Sequence, residues 1–142
     1  MRGGQSDCRA EGVLYLDSSA IVKLVVPEPE TRALVETIRS DPETVSSVLA
    51  RVEVLRAVRR AGARRAVADR AEAILLRMAL VRLEEGVVTT ASKLRPLELR
   101  TLDAIHLATA LSLAPQLSSL ITYDARLASA ARAAGLTVHL PR

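Results

Sequence analysis

Short apolar runs alternate with segments of helical period along almost the whole chain, and few folds accept that alternation. Residues 13–16 and 120–122 read as buried strands, with further strand signals at 44–46, 80–83 and 137–140. Between them lie helical stretches. Residues 18–26 are stopped by Pro27 and Pro29, and residues 31–40 end near Asp41-Pro42. A third helix begins after Ser47, which is placed to cap it, and breaks at Gly62. Residues 65–79 carry Val67, Ala71, Ile74, Leu75 and Met78 on one face. A short helix spans 87–94. Thr101 is placed to cap a nearly all-apolar helix to Ala114, and residues 125–134 form a last helix before Gly135. Strands separated by helices imply a parallel sheet covered on both sides, an α/β architecture. The chain shows no internal repeat and no linker, so its 142 residues fit one domain.

Into this apolar pattern fall four acids: Asp17, Glu53, Asp103 and Asp124. Asp17 and Asp124 each stand just past a predicted strand end. Asp103 and Glu53 are expected in the first turns of helices that begin at the same rim of the sheet. Ligands of open α/β folds bind beyond the carboxyl ends of the strands. A buried carboxylate without a partner is costly, and a divalent cation is the natural compensator for several of them. Each acid also has an ordinary explanation. Asp17 and Asp124 suit helix caps, Asp103 suits the positive end of a helix dipole, and Glu53 suits an ion pair with Arg56 on a solvated face. Convergence of all four on one rim favours chemistry. Phosphodiester hydrolysis needs an activated water and an offset for growing phosphate charge, and Mg²⁺ or Mn²⁺ held by carboxylates supplies both.

Composition narrows the partners. The net charge is +4 with a pI of about 10.0, and of the 20 basic residues only Lys23 and Lys93 are lysines, so the positive charge is guanidinium, suited to phosphate. Arg56, Arg59, Arg60, Arg64 and Arg65 cluster near one helix–helix connection, where a solvated face is the default and RNA or partner binding the alternative. Phe and Trp are absent and Tyr15 and Tyr123 are the only aromatic residues, which argues against base-stacking single-strand binders. Cys8 is the lone cysteine, so no disulfide forms within the chain and a reducing cytoplasm fits. Residues 1–12 lack the apolar stretch of a secretory signal and read as a flexible tail preceding a domain at 13–142. No apolar run approaches the roughly 20 residues of a membrane span. Ser19 and Thr122 flank the acidic rim as secondary polar candidates. His106, one turn after Asp103, reads as a structural histidine satisfied inside the domain.

The segments YLDSSAIVKL at Asp17, SSVLARVEVLRA at Glu53, LRTLDAIHLATAL at Asp103 and LITYDARLASAARAAGL at Asp124 resemble the PIN-domain nucleases, and among them the VapC toxins of bacterial type II toxin–antitoxin pairs. The resemblance covers residues 13–140. It implies a three-layer α/β/α sandwich with a central parallel sheet. It implies a Mg²⁺- or Mn²⁺-dependent endoribonuclease, a homodimer, and inhibition by a small cognate VapB-like antitoxin. By motif, Asp17 and Asp103 are the main metal ligands, Asp124 assists directly or through water, and Glu53 completes the site and positions the attacking water. Ser19 and Thr122 match secondary polar positions. The competing readings are another carboxylate–Mg²⁺ phosphoester hydrolase, whether phosphatase or DNA nuclease, and a non-catalytic nucleic-acid-binding module. Against a haloacid-dehalogenase-like phosphatase, the strand end carries Asp17-Ser18-Ser19 and not D-x-D. Against a receiver domain, no Lys follows Lys93.

Overall fold

Successive side chains of a strand point to opposite faces of its sheet, and the first strand shows both faces buried. In β1 (Val13–Leu16), Leu14 and Leu16 enter one apolar cluster while Tyr15 enters the other. The computed structural model describes residues 12–40 and 43–142. The expected tail therefore lies almost wholly outside the described residues, as does the Asp41-Pro42 helix stop. After β1 come α1 (Ser18–Val25), α2 (Thr31–Arg39), β2 (Thr44–Ser47), α3 (Val48–Arg60), α4 (Arg65–Leu76), β3 (Ala79–Val81), α5 (Glu85–Lys93), α6 (Thr101–Ser112), β4 (Leu117–Ile121), α7 (Ala125–Ala133) and β5 (Val138–His139).

The five strands are all parallel in the order β3-β2-β1-β4-β5. Register runs Tyr15 beside Val45 on one side and Leu120 on the other. The chain winds outward from β1 through β2 to β3, then crosses back to β4 and winds the other way. The order thus reverses between β1 and β4, and the crevice at their carboxyl ends is where such folds bind ligands. One face buries Leu14, Leu16 and Ile121 against Ala20, Ile21 and Val25 of α1, Leu34 of α2, Val54 of α3 and Leu75 of α4. The other buries Tyr15, Val45 and Leu120 against Leu107 of α6 and Leu127 and Ala131 of α7. These are the three layers of an α/β/α sandwich.

Local chemistry sets the helix ends. Ser47 Oγ accepts from the Leu49 N–H, as expected of a cap. Gly62 (φ 71°) and Gly135 (φ 95°) take the left-handed conformation just past α3 and α7. There Ala63 N–H reaches Val58 O, and Leu136 N–H reaches Ala131 O, closing each helix with a bond that a side chain at the glycine would strain. Several expectations need correction, among them the fourth strand, which begins at Leu117 and not at residue 120. Thr101 does not cap α6: Arg100 holds the cap position, with no side-chain cap bond, and Thr101 is already helical. The fourth helix stops at Leu76, short of residue 79, and its following strand is Ala79–Val81 instead of 80–83. Pairing of Ala79 with Val45 recruits that residue to the sheet, and helical periodicity is blind to such a partner. Among the described residues no helix is long and apolar enough to cross a membrane.

Candidate active site

One cleft opens at the carboxyl ends of β1 and β4, and Asp17, Glu53, Asp103 and Asp124 all line it. Asp17 follows β1 directly and is buried, with only 2% of its surface exposed. Its Oδ1 accepts from the Ala20 N–H at 3.0 Å and from Ser19 Oγ at 2.7 Å, and its Oδ2 accepts from Thr122 Oγ1 at 2.6 Å. The capping role and the site role therefore coexist. The cap at the start of α1 fixes the carboxylate plane, and the second oxygen is oriented from the neighbouring strand. Burial raises the Asp17 carboxyl above its ordinary pKa, and the bonds from Thr122 and Ser19 pull in the opposite direction.

Asp124 repeats the device at β4. Its Oδ1 caps α7 by accepting from the N–H groups of Arg126 and Leu127, and its Oδ2 accepts from Arg100 Nη2 at 3.2 Å. Asp103 lies in the first turn of α6 and is buried. Arg100 Nε reaches Asp103 Oδ2 at 3.4 Å, so one guanidinium spans two of the acids. Burial first, and then the charge of Asp124, raises the Asp103 carboxyl, while Arg100 lowers it.

Glu53 arrives differently from its expected placement. It is the sixth residue of α3, one turn deeper than the first turn. Helical phase still carries it to the cleft, because Ala50, Val54 and Val58 face the core and turn the adjoining side of α3 toward α6. It bonds His106 Nε2 at 2.7 Å, and this contact takes the place expected for Arg56. Arg56 and Arg60 line the cleft beside it, whereas Arg65 pairs with Asp69 at 4.0 Å on α4. The basic cluster thus divides between the site and a solvated face.

Ser19 and Thr122 both bind Asp17, Ser19 from within the cleft lining and Thr122 from behind it, fully buried. Arg100 was not singled out in the sequence. Its only local signal is the spacing of three residues before Asp103, one turn of helix.

Among the described residues no three His, Cys, Asp or Glu side chains are gathered into a ready-made cation cage. What the cleft presents is a rim of hard oxygen donors, two with raised pKa values, partly balanced by Arg100, which bridges Asp103 and Asp124, and by Arg56 and Arg60 in the lining. Surplus negative charge of this kind on oxygen ligands suits a hard divalent cation that keeps part of its water shell. Among the described residues lining the cleft there is no thiol or imidazole that would favour a softer metal.

Comparison with known proteins identifies the family and the fold. The PIN domain family profile matches residues 14–133. The chain is 48% identical over 128 residues to Ribonuclease VapC46 of Mycobacterium tuberculosis (strain ATCC 25618 / H37Rv), covering 90% of this chain and 97% of that protein. It is 36% identical over 133 residues to Ribonuclease VapC47 of M. tuberculosis (strain CDC 1551 / Oshkosh), covering 91% and 97%. Its fold is similar to the crystal structure of M. tuberculosis VapC20, a sarcin-ricin loop cleaving toxin, with a TM-score of 0.70 at 18% identity over 91% of this chain and 99% of that one. A toxin–antitoxin complex from Klebsiella pneumoniae gives a TM-score of 0.68 at 20% identity, over 91% and 98%.

Proposed function

This chain belongs to the PIN-domain family, with VapC ribonucleases among its relatives, and from that premise we propose that it is a metal-dependent endoribonuclease, the toxin of a VapBC-type toxin–antitoxin pair. One observation carries the reading: four carboxylates, two just past β1 and β4 and two on α3 and α6, line a single cleft at the point where strand order reverses. The nuclease domain in this reading is residues 13–142, working on RNA in the cytoplasm as a homodimer held in check by a small VapB-like antitoxin.

Asp17, Asp103, Asp124 and Glu53 would hold Mg²⁺ or Mn²⁺. When bound, such an ion lowers the pKa of water and offsets charge that builds on the phosphate oxygens. The chain's own groups do the rest. Ser19 and Thr122 hold Asp17 in one orientation. Glu53, anchored by His106, presents its remaining oxygen as an acceptor that orients the attacking water. Arg56, Arg60 and Arg100 offer guanidinium groups to the phosphates on either side of the bond that is cut.

The test is cleavage of total bacterial RNA by antitoxin-free protein, with Mg²⁺, Mn²⁺ or EDTA, for wild type and Asp17→Asn. Discrete fragments that need both the metal and Asp17 are expected. Losing a group that merely orients a metal ligand costs about 10–100-fold, so losing a ligand should cost at least about 100-fold. Equal cutting by Asp17→Asn under metal-replete conditions would remove the assigned site. Turnover of a small phosphate ester or of DNA, with RNA left intact by folded protein, would move the chain to one of the other hydrolase classes. Metal-independent RNA binding without cleavage would make it a binding module.

A further inference from the structure

Beneath the cleft the His106–Glu53 contact continues into the core as a polar chain that ends at Tyr15. Tyr15 Oη and His106 Nδ1 are 2.8 Å apart, and His106 Nε2 and Glu53 Oε1 are 2.7 Å apart. Tyr15 is fully buried, His106 is 1% exposed, and the two rings meet edge to face with centroids 5.8 Å apart. Each member adjoins an acid of the cleft: Tyr15 stands two residues before Asp17 in β1, and His106 one turn after Asp103 in α6.

The protons along this chain can be assigned. A carboxylate oxygen only accepts, so the His106 nitrogen facing Glu53 carries the hydrogen. A phenol carries its proton at neutral pH, so Tyr15 Oη, 2.8 Å from His106 Nδ1, can donate it. With Nε2 protonated, the lone pair of Nδ1 faces that donor. Both ring nitrogens of His106 are then satisfied in one tautomer, and the ring can rotate only by breaking both bonds.

We propose that Tyr15 and His106 form a buried relay that holds Glu53 in a single rotamer at the cleft, with His106 as a positioning residue in its Nε2–H tautomer. Glu53 needs such an anchor more than the other acids do. Asp17 and Asp124 are fixed by helix-capping bonds, and Asp103 has a shorter side chain in a first turn. Glu53 has a longer side chain projecting from the second turn of α3, and no cap bond is available there. The proposal rests on the nuclease reading for its consequence in catalysis, but the geometry it describes can be measured without RNA.

The experiment compares wild type, His106→Leu, His106→Gln and Tyr15→Phe, each checked for folding by circular dichroism. Three-bond couplings of the Glu53 side chain report its rotamer, and ring ¹⁵N shifts report the His106 tautomer. Wild type is expected to show one Glu53 rotamer and a protonated Nε2, and His106→Leu an averaged rotamer. In His106→Gln the amide supplies an N–H to Glu53 and a carbonyl to Tyr15, so the single rotamer should return. Tyr15→Phe keeps the ring in the core and should loosen Glu53 without changing the fold.

In RNA cleavage His106→Leu should lower kcat about 10–100-fold with KM little changed, and His106→Gln should restore most of it. Adding His106→Leu to Glu53→Gln should cost little more than Glu53→Gln alone. A single Glu53 rotamer persisting in folded His106→Leu, or fully additive losses in the double variant, would overturn the relay. If wild type cuts no RNA, the nuclease reading fails, and the couplings and ring shifts still decide whether the relay exists.

Discussion

Thr122 Oγ1 donates to Asp17 Oδ2 at 2.6 Å, joining two strand ends that lie 105 residues apart in the chain. The same oxygen accepts from the Asp124 N–H at 3.0 Å. One buried hydroxyl thus orients a carboxylate at the end of β1 and the backbone of an acid just past β4.

Replacing Thr122 with Val keeps the shape and removes that hydroxyl. The buried Asp17 oxygen loses its donor and the Asp124 N–H loses its acceptor. A cost of about 1–3 kcal/mol is expected in urea unfolding, together with weaker Mn²⁺ binding. Thr122→Ser restores the oxygen and should recover most of both. An unchanged midpoint for Thr122→Val would show that water replaces the hydroxyl at little cost.

The raised carboxyls of Asp17 and Asp103 give the metal-free protein a definite pH response. A raised acid pKa means that the folded state holds its proton more tightly than the unfolded chain. The stability these groups contribute is therefore complete below the ordinary carboxylate pKa of about 4, and is lost as pH rises through their folded values. Metal binding requires the deprotonated forms, so Mn²⁺ affinity should climb over that same window. Thermal melts across pH, with and without Mn²⁺, test both signs. At one hundred times its Kd the ion adds about 2.7 kcal/mol to wild type. Asp17→Asn should lose most of that gain and flatten the metal-free profile.

Arg100 sits between Asp103 and Asp124 and is 71% exposed at its side chain. Its guanidinium competes with any cation for the same two carboxylates. Exposed pairs of this kind contribute about 0.2–1 kcal/mol. Arg100→Ala should therefore tighten Mn²⁺ binding a few-fold by calorimetry, while weakening RNA binding measured in EDTA. Looser Mn²⁺ binding in Arg100→Ala would mean that the guanidinium organises the two acids more than it screens them.

Arg56 and Arg60 line the cleft. If they meet RNA phosphates, each contributes about 0.7 to the slope of log K against log salt for a single strand. The double variant Arg56→Ala/Arg60→Ala should lower that slope by about 1.4, and do so alike for unrelated sequences. Arg65→Ala, whose partner is Asp69 on the solvated face, serves as the control and should leave the slope unchanged.

The alternation of strands and helices and the two acids at strand ends were legible in the sequence. Those signals are local: apolar runs, helix-breaking prolines, and an Asp at the start of a helix. Asp17 and Asp124 could be placed at one rim because every strand of a parallel sheet ends at the same edge. The rest was decided by contacts across the chain. Glu53 reaches the cleft through the rotation of α3, which is fixed by Ala50, Val54 and Val58 packing into the core. The start of β3 at Ala79 was set by its pairing with Val45, and helical periodicity does not report a partner strand. His106 reads in sequence as a satisfied core histidine, and the structure shows it buried and satisfied; only the fold reveals that its partners are Glu53 and Tyr15, 53 and 91 residues away. Arg100 had no apolar or acidic pattern to mark it, and its bond to Asp124 exists because α6 and α7 begin side by side at the reversal of strand order. Periodicity is a property of neighbouring residues, whereas strand order and helix rotation are settled by packing, and the partners in this cleft were chosen by packing.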